Sequence, residues 1–133
     1  MFRTKRDDKN EIIERKARLC VKGFLQEEGI DYFSTYAPTG KMATLRPLMV
    51  FSLKLKLKFH QIDIKSAFLN APLTEEIHIN PPPGVSTSSK KVLRLRKAMY
   101  GLKQAPMAWH ETLTSVLHPL KFHRCKAKPC LFW

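Results

Sequence analysis

Asp63 is the residue of this chain whose type and position best suit metal chemistry. Ile62 and Ile64 alternate with polar neighbours, and this period of two predicts a strand over about Lys58–Ile64 with one buried and one polar face. Asp63 lies on the polar face, and Ser66 starts a turn directly after the strand. A carboxylate at the end of a strand can face a cleft and bind a divalent cation. A solvated acid on an exposed strand explains the same pattern.

Basic side chains mark a second candidate site near the start of the chain. Turn-favouring residues at Asp7–Asn10 separate the strand-like stretches Phe2–Lys5 and Ile12–Phe24, which predicts a β-hairpin. Lys16 and Arg18 would share one face of this hairpin. Such a face can bind phosphate oxygens, or it can be a solvated basic surface.

A second basic face is predicted where Val92–Arg96 alternates between apolar and basic residues. Arg94 and Arg96 would lie together, opposite two leucines. The two arginines suit contact with a phosphate backbone, and an exposed sheet face explains them equally well.

Two helices are expected to support these sites. Thr44 is the predicted N-cap of the first helix, with Pro47 at its third position, where the missing N–H costs little. The apolar stripe of this helix is assigned to core packing and comprises Leu45, Leu48, Met49, Ser52 and Leu53. Pro106 is expected to begin the second helix, with Trp109 in the core. The remaining predictions are strands at Glu75–Asn80 and Cys130–Trp133 and a mobile, serine-rich segment over Val85–Lys91.

The charge of the chain favours a polyanionic partner. The 133 residues include 24 Lys and Arg against 11 Asp and Glu, a net charge of +13, and Glu111 is the only acid after residue 80. Nucleic acid is favoured over a membrane surface, because the basic residues are not gathered on one amphipathic helix. No apolar run approaches the roughly 20 residues that span a bilayer, and the N-terminus has no signal-peptide core.

The cysteines give no sign of a disulfide framework. Three cysteines cannot all pair within the chain and no Cys-x-x-Cys occurs, which predicts reduced thiols in an intracellular protein, cytoplasmic or nuclear. The His and Cys residues near the C-terminus match no common zinc module in their spacing. These residues are His118, His123, Cys125 and Cys130.

Three segments resemble motifs of one known family. His60–Asn70 closely resembles the first catalytic-aspartate motif of the copia-type retrotransposon reverse transcriptases. Lys97–Pro106 resembles the second palm motif of that family, and Lys16–Leu19 with Lys22–Phe24 resembles its fingers motif. The motifs occur in the family's order, and the resemblance extends over Phe2–Trp133.

The resemblance implies an α+β fold with the fingers and the first part of the palm of a right-hand polymerase, its antiparallel strands packed with two main helices. Residues 1–58 would belong to the fingers, and residues 59–133 to the palm with interleaved fingers elements. The Tyr-x-Asp-Asp hairpin of the family, which carries two further catalytic aspartates, would lie beyond residue 133. We therefore expect part of an RNA-directed DNA polymerase that is inactive alone.

The same resemblance suggests roles for individual residues. Asp63 would be the first catalytic aspartate and a metal ligand, and the backbone carbonyl of Ile64 would be a second ligand. They would bind Mg²⁺ or Mn²⁺ only in a completed active site. Phe68 would lie against the sugar and exclude a 2′-hydroxyl, unless it is a core aromatic. The other implied nucleotide-binding residues are Arg6, Lys16, Arg18, Tyr100 and Gly101, and the implied nucleic-acid contacts are Arg94, Arg96 and Lys103.

The implied partners are an RNA template, a DNA primer, deoxynucleoside triphosphates and the rest of the polymerase domain, with no membrane. Three departures weaken the transfer of function. Met107 replaces an arginine usual in the family, Lys128 replaces an aspartate, and the usual aromatic between Arg15 and Lys16 is missing, which leaves the hairpin register open. The alternatives are a basic nucleic-acid-binding remnant without catalysis and a decayed pseudogene product.

Overall fold

A computed structural model of the chain describes residues 1–85 and 91–133. The helices and strands, in chain order, are β1 (Phe2–Arg6), β2 (Ile12–Ala17), α1 (Met42–Lys54), β3 (Pro72–Ile79), β4 (Leu93–Lys97) and α2 (Ala105–Leu117). The strands form two antiparallel two-stranded sheets, β1 with β2 and β3 with β4. This mixed arrangement confirms the α+β class. Most of the serine-rich segment that was predicted to be mobile, residues 86–90, lies outside the described residues.

The predicted N-terminal hairpin is confirmed. The Asp7 carboxylate accepts hydrogen bonds from the backbone N–H groups of Lys9 and Glu11, and Asn10 takes a left-handed conformation with φ 66°. Asp and Asn favour turns for these reasons. The register pairs Arg3 with Lys16. The second strand ends earlier than predicted, at Ala17, because the chain then leaves the hairpin to pack elsewhere.

The first helix differs from its prediction in start and burial. It begins at Met42, two residues before Thr44, so that Pro47 is the sixth helical residue rather than the third. The side chains of Leu45, Leu48, Met49 and Leu53 are all exposed, although they were assigned to the core. Leu45 and Leu48 line an open groove of about 540 Å³ between the helix and the segment at residues 127–131, which leaves these two side chains accessible to solvent.

The predicted strand at Lys58–Ile64 is wrong. These residues have no regular secondary structure, and Asp63 is exposed on an irregular segment. A strand needs a hydrogen-bonding neighbour. In the described residues, the strands of both sheets pair with other partners, and alternation alone did not supply one for this segment. The turn after it is confirmed as a 3₁₀ turn at Ala67–Asn70, preceded by Ser66 at φ 51°.

The core lies where β3, β4 and α2 meet. Its buried apolar residues are Ala71, Ile77, Ala98, Leu102 and Ala105. Trp109 packs against them in agreement with its core assignment, and Pro106 is the second residue of α2 rather than the first. Both predicted strands of this sheet are confirmed, since β3 includes most of Glu75–Asn80 and β4 covers most of Val92–Arg96.

The predicted C-terminal strand is reduced to a single bridge between Arg124 and Phe132. The backbones of His123 and Trp133 exchange two hydrogen bonds of 2.8 and 3.0 Å, and the Cys125 N–H donates to Leu131. The segment therefore folds back on itself as a short antiparallel turn. All three cysteines are free thiols, as predicted.

Candidate active site

Asp63 belongs to no metal-binding cluster of side chains in the part of the chain that the structure describes. Within residues 1–85 and 91–133, no three His, Cys, Asp or Glu side chains come together in a group that could bind a metal ion. Two divalent cations require several converging anionic oxygens. The described residues, including the Ile64 carbonyl beside Asp63, therefore do not fit a site for two divalent ions.

The segments His60–Asn70 and Lys97–Pro106 contact each other through one aromatic residue from each, Phe68 and Tyr100. The rings of Phe68 and Tyr100 are stacked, with centroids 6.2 Å apart and planes inclined by 30°. Phe68 is half-buried beside the core, whereas Tyr100 is exposed. The 3₁₀ turn carries Phe68, and the Ala98 N–H donates to the Ala71 carbonyl at 2.9 Å, which ties the two motifs together. The structure thus brings two of the predicted nucleotide-binding residues into contact.

Gly101 is required for a close approach of two backbones. It has φ +103°, and a Cβ at this position would overlap the carbonyl oxygen of Val21. On the other side of the contact, a Cβ at Gly23 would overlap the carbonyl oxygen of Gly101. The Val21 N–H donates to the Tyr100 carbonyl at 2.9 Å. The fingers-motif segment therefore packs directly on the turn that carries Tyr100.

The ammonium group of Lys103 is held by protein groups. Its Nζ donates to the Gln26 carbonyl at 3.2 Å and to the Tyr32 hydroxyl at 3.1 Å. The same Nζ lies 4.7 Å from the centroid of the Tyr32 ring, within cation–π range. Lys103 thus bridges to the segment at residues 26–32.

Gln104 was not singled out by its sequence, yet its side chain is only 1 % exposed. Its Oε1 accepts a hydrogen bond from Gln26 Nε2 at 3.0 Å, and its own Nε2 donates to the Asp31 carbonyl at 2.9 Å. The sequence did contain one sign of this burial. Gln104 is an amide residue between the apolar residues Leu102 and Ala105, directly before a helix with a proline at its second position. A polar residue in such a place is buried only if it is hydrogen-bonded.

The basic residues of the hairpin lie apart from the aromatic pair. In the described part of the chain, β1 and β2 make their extensive contacts only with each other. Arg6 donates to the Asn10 carbonyl at 2.8 Å, Lys16 lies 3.3 Å from a carboxylate oxygen of Glu14, and Arg18 is exposed just after β2. The hydrogen bond from Lys16 lowers the pKa of the Glu14 carboxyl, and Lys5 adds to this effect.

The two arginines of β4 are exposed as their alternation predicted. Arg94 lies 3.8 Å from a carboxylate oxygen of Glu76, which also lies 3.6 Å from His78. Ion pairs this long and exposed contribute little to stability. Arg94 and Arg96 therefore remain accessible to a phosphate backbone.

Two open cavities lie elsewhere on the molecule. One of about 440 Å³ lies between the segment at residues 19–26 and the end of β3, and the other is the groove beside α1. Neither is lined by a predicted site residue. The described helices include none that is both long and apolar enough to cross a membrane.

Comparison with known proteins gives consistent matches. The sequence model of the family described as "Reverse transcriptase (RNA-dependent DNA polymerase)" matches residues 1–133. The Pol polyprotein of transposon TNT 1-94 from Nicotiana tabacum is 36 % identical over all of the chain, and that of transposon RE2 from Arabidopsis thaliana is 35 % identical over 99 % of it. The Ty1-BL Gag-Pol polyprotein of Saccharomyces cerevisiae is 34 % identical over 88 % of the chain.

The chain spans only 10 %, 9 % and 6 % of the lengths of these three relatives. No solved structure matches it significantly.

Proposed function

Because the chain belongs to the reverse transcriptase (RNA-dependent DNA polymerase) family, we propose that it supplies the first catalytic aspartate and the nucleotide-contacting aromatic pair of a copia-type retrotransposon polymerase. Asp63 is the aspartate, and Phe68 and Tyr100 are the pair. Residues 1–58 would act as fingers, and residues 59–133 as the first part of the palm. The reaction is the template-directed addition of deoxynucleotides to a primer.

The contact between Phe68 and Tyr100 carries this proposal. The two residues belong to different motifs, and their stacking creates an aromatic surface with one exposed ring. An exposed ring can stack on a base or sugar and exclude a bulkier substituent. A decayed copy would be under no constraint to retain such a contact between its two motifs.

We further propose that the 133 residues do not synthesise DNA by themselves. Asp63 offers one carboxylate, and in the described residues it is not part of any group of three His, Cys, Asp or Glu side chains that could bind a metal ion. A single formal charge is too little to hold two strongly hydrated divalent cations and a triphosphate together. Lys65, two residues away, and the net charge of +13 oppose cation binding further.

Primer extension tests both statements. The purified chain is incubated with a primed RNA template, deoxynucleoside triphosphates and magnesium, and we expect no extension. The chain is then supplemented with the segment of a related element that carries Tyr-x-Asp-Asp. Extension should appear in the supplemented reaction if the two parts pack together.

Asp63→Asn in the supplemented reaction should abolish extension. Asp8→Asn is the matched control, because Asp8 is an exposed acid of the hairpin turn and should leave extension unchanged. Extension by the isolated chain would overturn the inactivity proposal. A supplemented enzyme that tolerates Asp63→Asn would overturn the role of Asp63.

A second function, nucleic-acid binding without catalysis, is favoured by the exposed basic residues of the hairpin and β4. Arg94 and Arg96 are exposed on one strand, and the chain has no acidic excess to offset them. We expect labelled single-stranded RNA to bind with little sequence preference and with an affinity that falls steeply between 50 and 200 mM salt. A flat salt response, or no binding at the lower salt concentration, would exclude this function.

A further inference from the structure

We infer that Gln26 and Gln104 are positioning residues, which hold the segment at residues 21–32 against the turn at residues 99–104 and so fix the Tyr100 ring beside Phe68. We call the hydrogen-bonded set formed by Gln26, Asp31, Tyr32, Lys103 and Gln104 the amide clamp. The clamp itself stands on contacts within the chain. Its link to nucleotide binding rests on the proposed function.

The clamp is a continuous chain of directed hydrogen bonds. The backbone N–H of Lys103 donates to Gln26 Oε1 at 2.8 Å, Gln26 Nε2 donates to Gln104 Oε1 at 3.0 Å, and Gln104 Nε2 donates to the Asp31 carbonyl at 2.9 Å. The Lys103 ammonium closes the set through Gln26 and Tyr32. Each glutamine side chain therefore donates and accepts at the same time.

This pattern explains why both positions need an amide. A carboxylate only accepts, an apolar side chain does neither, and a shorter amide would not reach both partners. Because Gln104 is buried, loss of one bond would leave its partner unsatisfied, which costs more than the bond itself contributes. The chemistry of the clamp thus selects glutamine at positions 26 and 104.

The clamp acts on Tyr100 through the backbone. The Val21 N–H donates to the Tyr100 carbonyl, and Gly23 and Gly101 approach too closely to admit a Cβ on either residue. Tyr100 and Gln104 are four residues apart on one turn, so the segment that Gln104 holds also supports the peptide that carries the Tyr100 ring. Loosening the clamp would release the Tyr100 peptide while leaving the sheet of β3 and β4 in place.

Hydrogen exchange tests the clamp in the full 133-residue chain. Gln104→Met removes both amide bonds with little change in volume. We expect the exchange of the Val21 amide to accelerate about ten- to a hundredfold, the range that corresponds to leaving a buried polar group without its hydrogen-bond partner. The Ala98 amide, which donates to Ala71 in the adjacent core, should keep its protection. A fluorine label on the Tyr100 ring should shift as the ring moves from Phe68.

Thr112→Val is the matched control, because it removes one side-chain hydrogen bond within α2 and touches no clamp residue. It should leave both the Val21 amide and the Tyr100 label unchanged. If Gln104→Met accelerates Val21 and Ala98 equally, Gln104 merely stabilises the whole fold. If the Tyr100 label does not move, the clamp does not position the ring. Either result overturns the inference.

A second variant separates hydrogen bonding from volume. In the variant Gln104→Glu, the new carboxyl group can donate a hydrogen bond to the Asp31 carbonyl only when it is protonated. Burial raises the pKa of such a carboxyl, and the charged groups of the clamp are the Lys103 ammonium, held by Gln26 and Tyr32, and the Asp31 carboxylate, held by the Glu27 N–H. We expect the protection factor of Val21 to recover as the pH falls, and a pH-independent protection factor would contradict the donor–acceptor chain. None of these measurements involves nucleic acid, so failure of the proposed function would leave their outcomes unaffected.

Discussion

The ring of Phe68 stacks on the ring of Tyr100 at a centroid distance of 6.2 Å, although β3 and β4 both lie between the two residues in the sequence. The sheet provides the link, because its strands run between the turn that carries Phe68 and the turn that carries Tyr100. The aromatic pair is thus a product of the tertiary fold rather than of either motif alone.

The stacked pair should be measurable as a coupling energy. Phe68→Leu and Tyr100→Leu are combined in a double-mutant cycle, and unfolding in urea gives the free energies. We expect a coupling of about 0.5 to 1.5 kcal/mol, the range for aromatic pairs beyond their buried area. The control cycle combines Phe68→Leu with Phe122→Leu, an exposed residue after α2, and should be additive. Additivity in both cycles would show that the rings do not interact.

Substitution of Gly101 should be far more costly than substitution of Gly29, which also has a positive φ. Gly101→Ala introduces a Cβ at positive φ and into the Val21 carbonyl, so we expect a loss of about 3 kcal/mol or more in the free energy of unfolding. Gly29→Ala isolates the effect of the backbone angle, since Gly29 has φ +82° with open space around it, and should cost about 1 kcal/mol. Similar losses for the two variants would argue against the close contact with Val21.

Lys103 and the arginines of β4 should respond differently in RNA binding. Lys103→Met should lower stability but leave the salt dependence of RNA affinity unchanged, because its ammonium is already held by Gln26 and Tyr32. Arg94→Gln and Arg96→Gln should each reduce the slope of log affinity against log salt by about 0.7, the contribution of one phosphate contact on a single strand. An equal loss of slope in Lys103→Met would restore Lys103 as a nucleic-acid contact.

Glu14 should titrate below its ordinary pKa of 4.5, because the hydrogen bond from Lys16 favours the carboxylate. The folded pKa is then lower than the unfolded one. The ion pairs of the hairpin therefore contribute stability above pH 4.5, and this contribution is lost as the pH falls through the folded pKa. Carbon-detected NMR titration measures the midpoint. Lys16→Gln should raise it, whereas Lys9→Gln, which replaces a lysine of the turn, should leave it in place.

The sequence predicted correctly those strands and helices whose local pattern matches the structure that their tertiary contacts also favour. The hairpin at residues 2–17 has turn chemistry at Asp7–Asn10, and β4 has a clean alternation of leucine and arginine. Both were recovered, because each pairs with a neighbour that is close in sequence or equally well patterned. The helix α2 was recovered through Pro106 and the spacing of its apolar residues.

The incorrect predictions concern residues whose structure depends on contacts with distant parts of the chain. Ile62 and Ile64 alternate as a strand would, yet among residues 1–85 and 91–133 the segment pairs with no neighbouring strand. The apolar stripe of α1 has helical spacing, but spacing alone does not show what packs against a helix. In the structure, Leu45 and Leu48 of this stripe line an open groove. Gln104 was missed because its partners, Gln26 and Asp31, are more than 70 residues away in the sequence.

That separation also matters during synthesis. Gln26 leaves the ribosome 78 residues before Gln104, and at 5 to 20 residues per second the interval is roughly 4 to 16 s. Throughout it, the carbonyl of Asp31 and the side-chain amide of Gln26 lack the partner that Gln104 provides in the folded chain. The contacts that hold the segment at residues 21–32 therefore form only after the turn at residues 99–104 has been synthesised, although the segment itself is translated early.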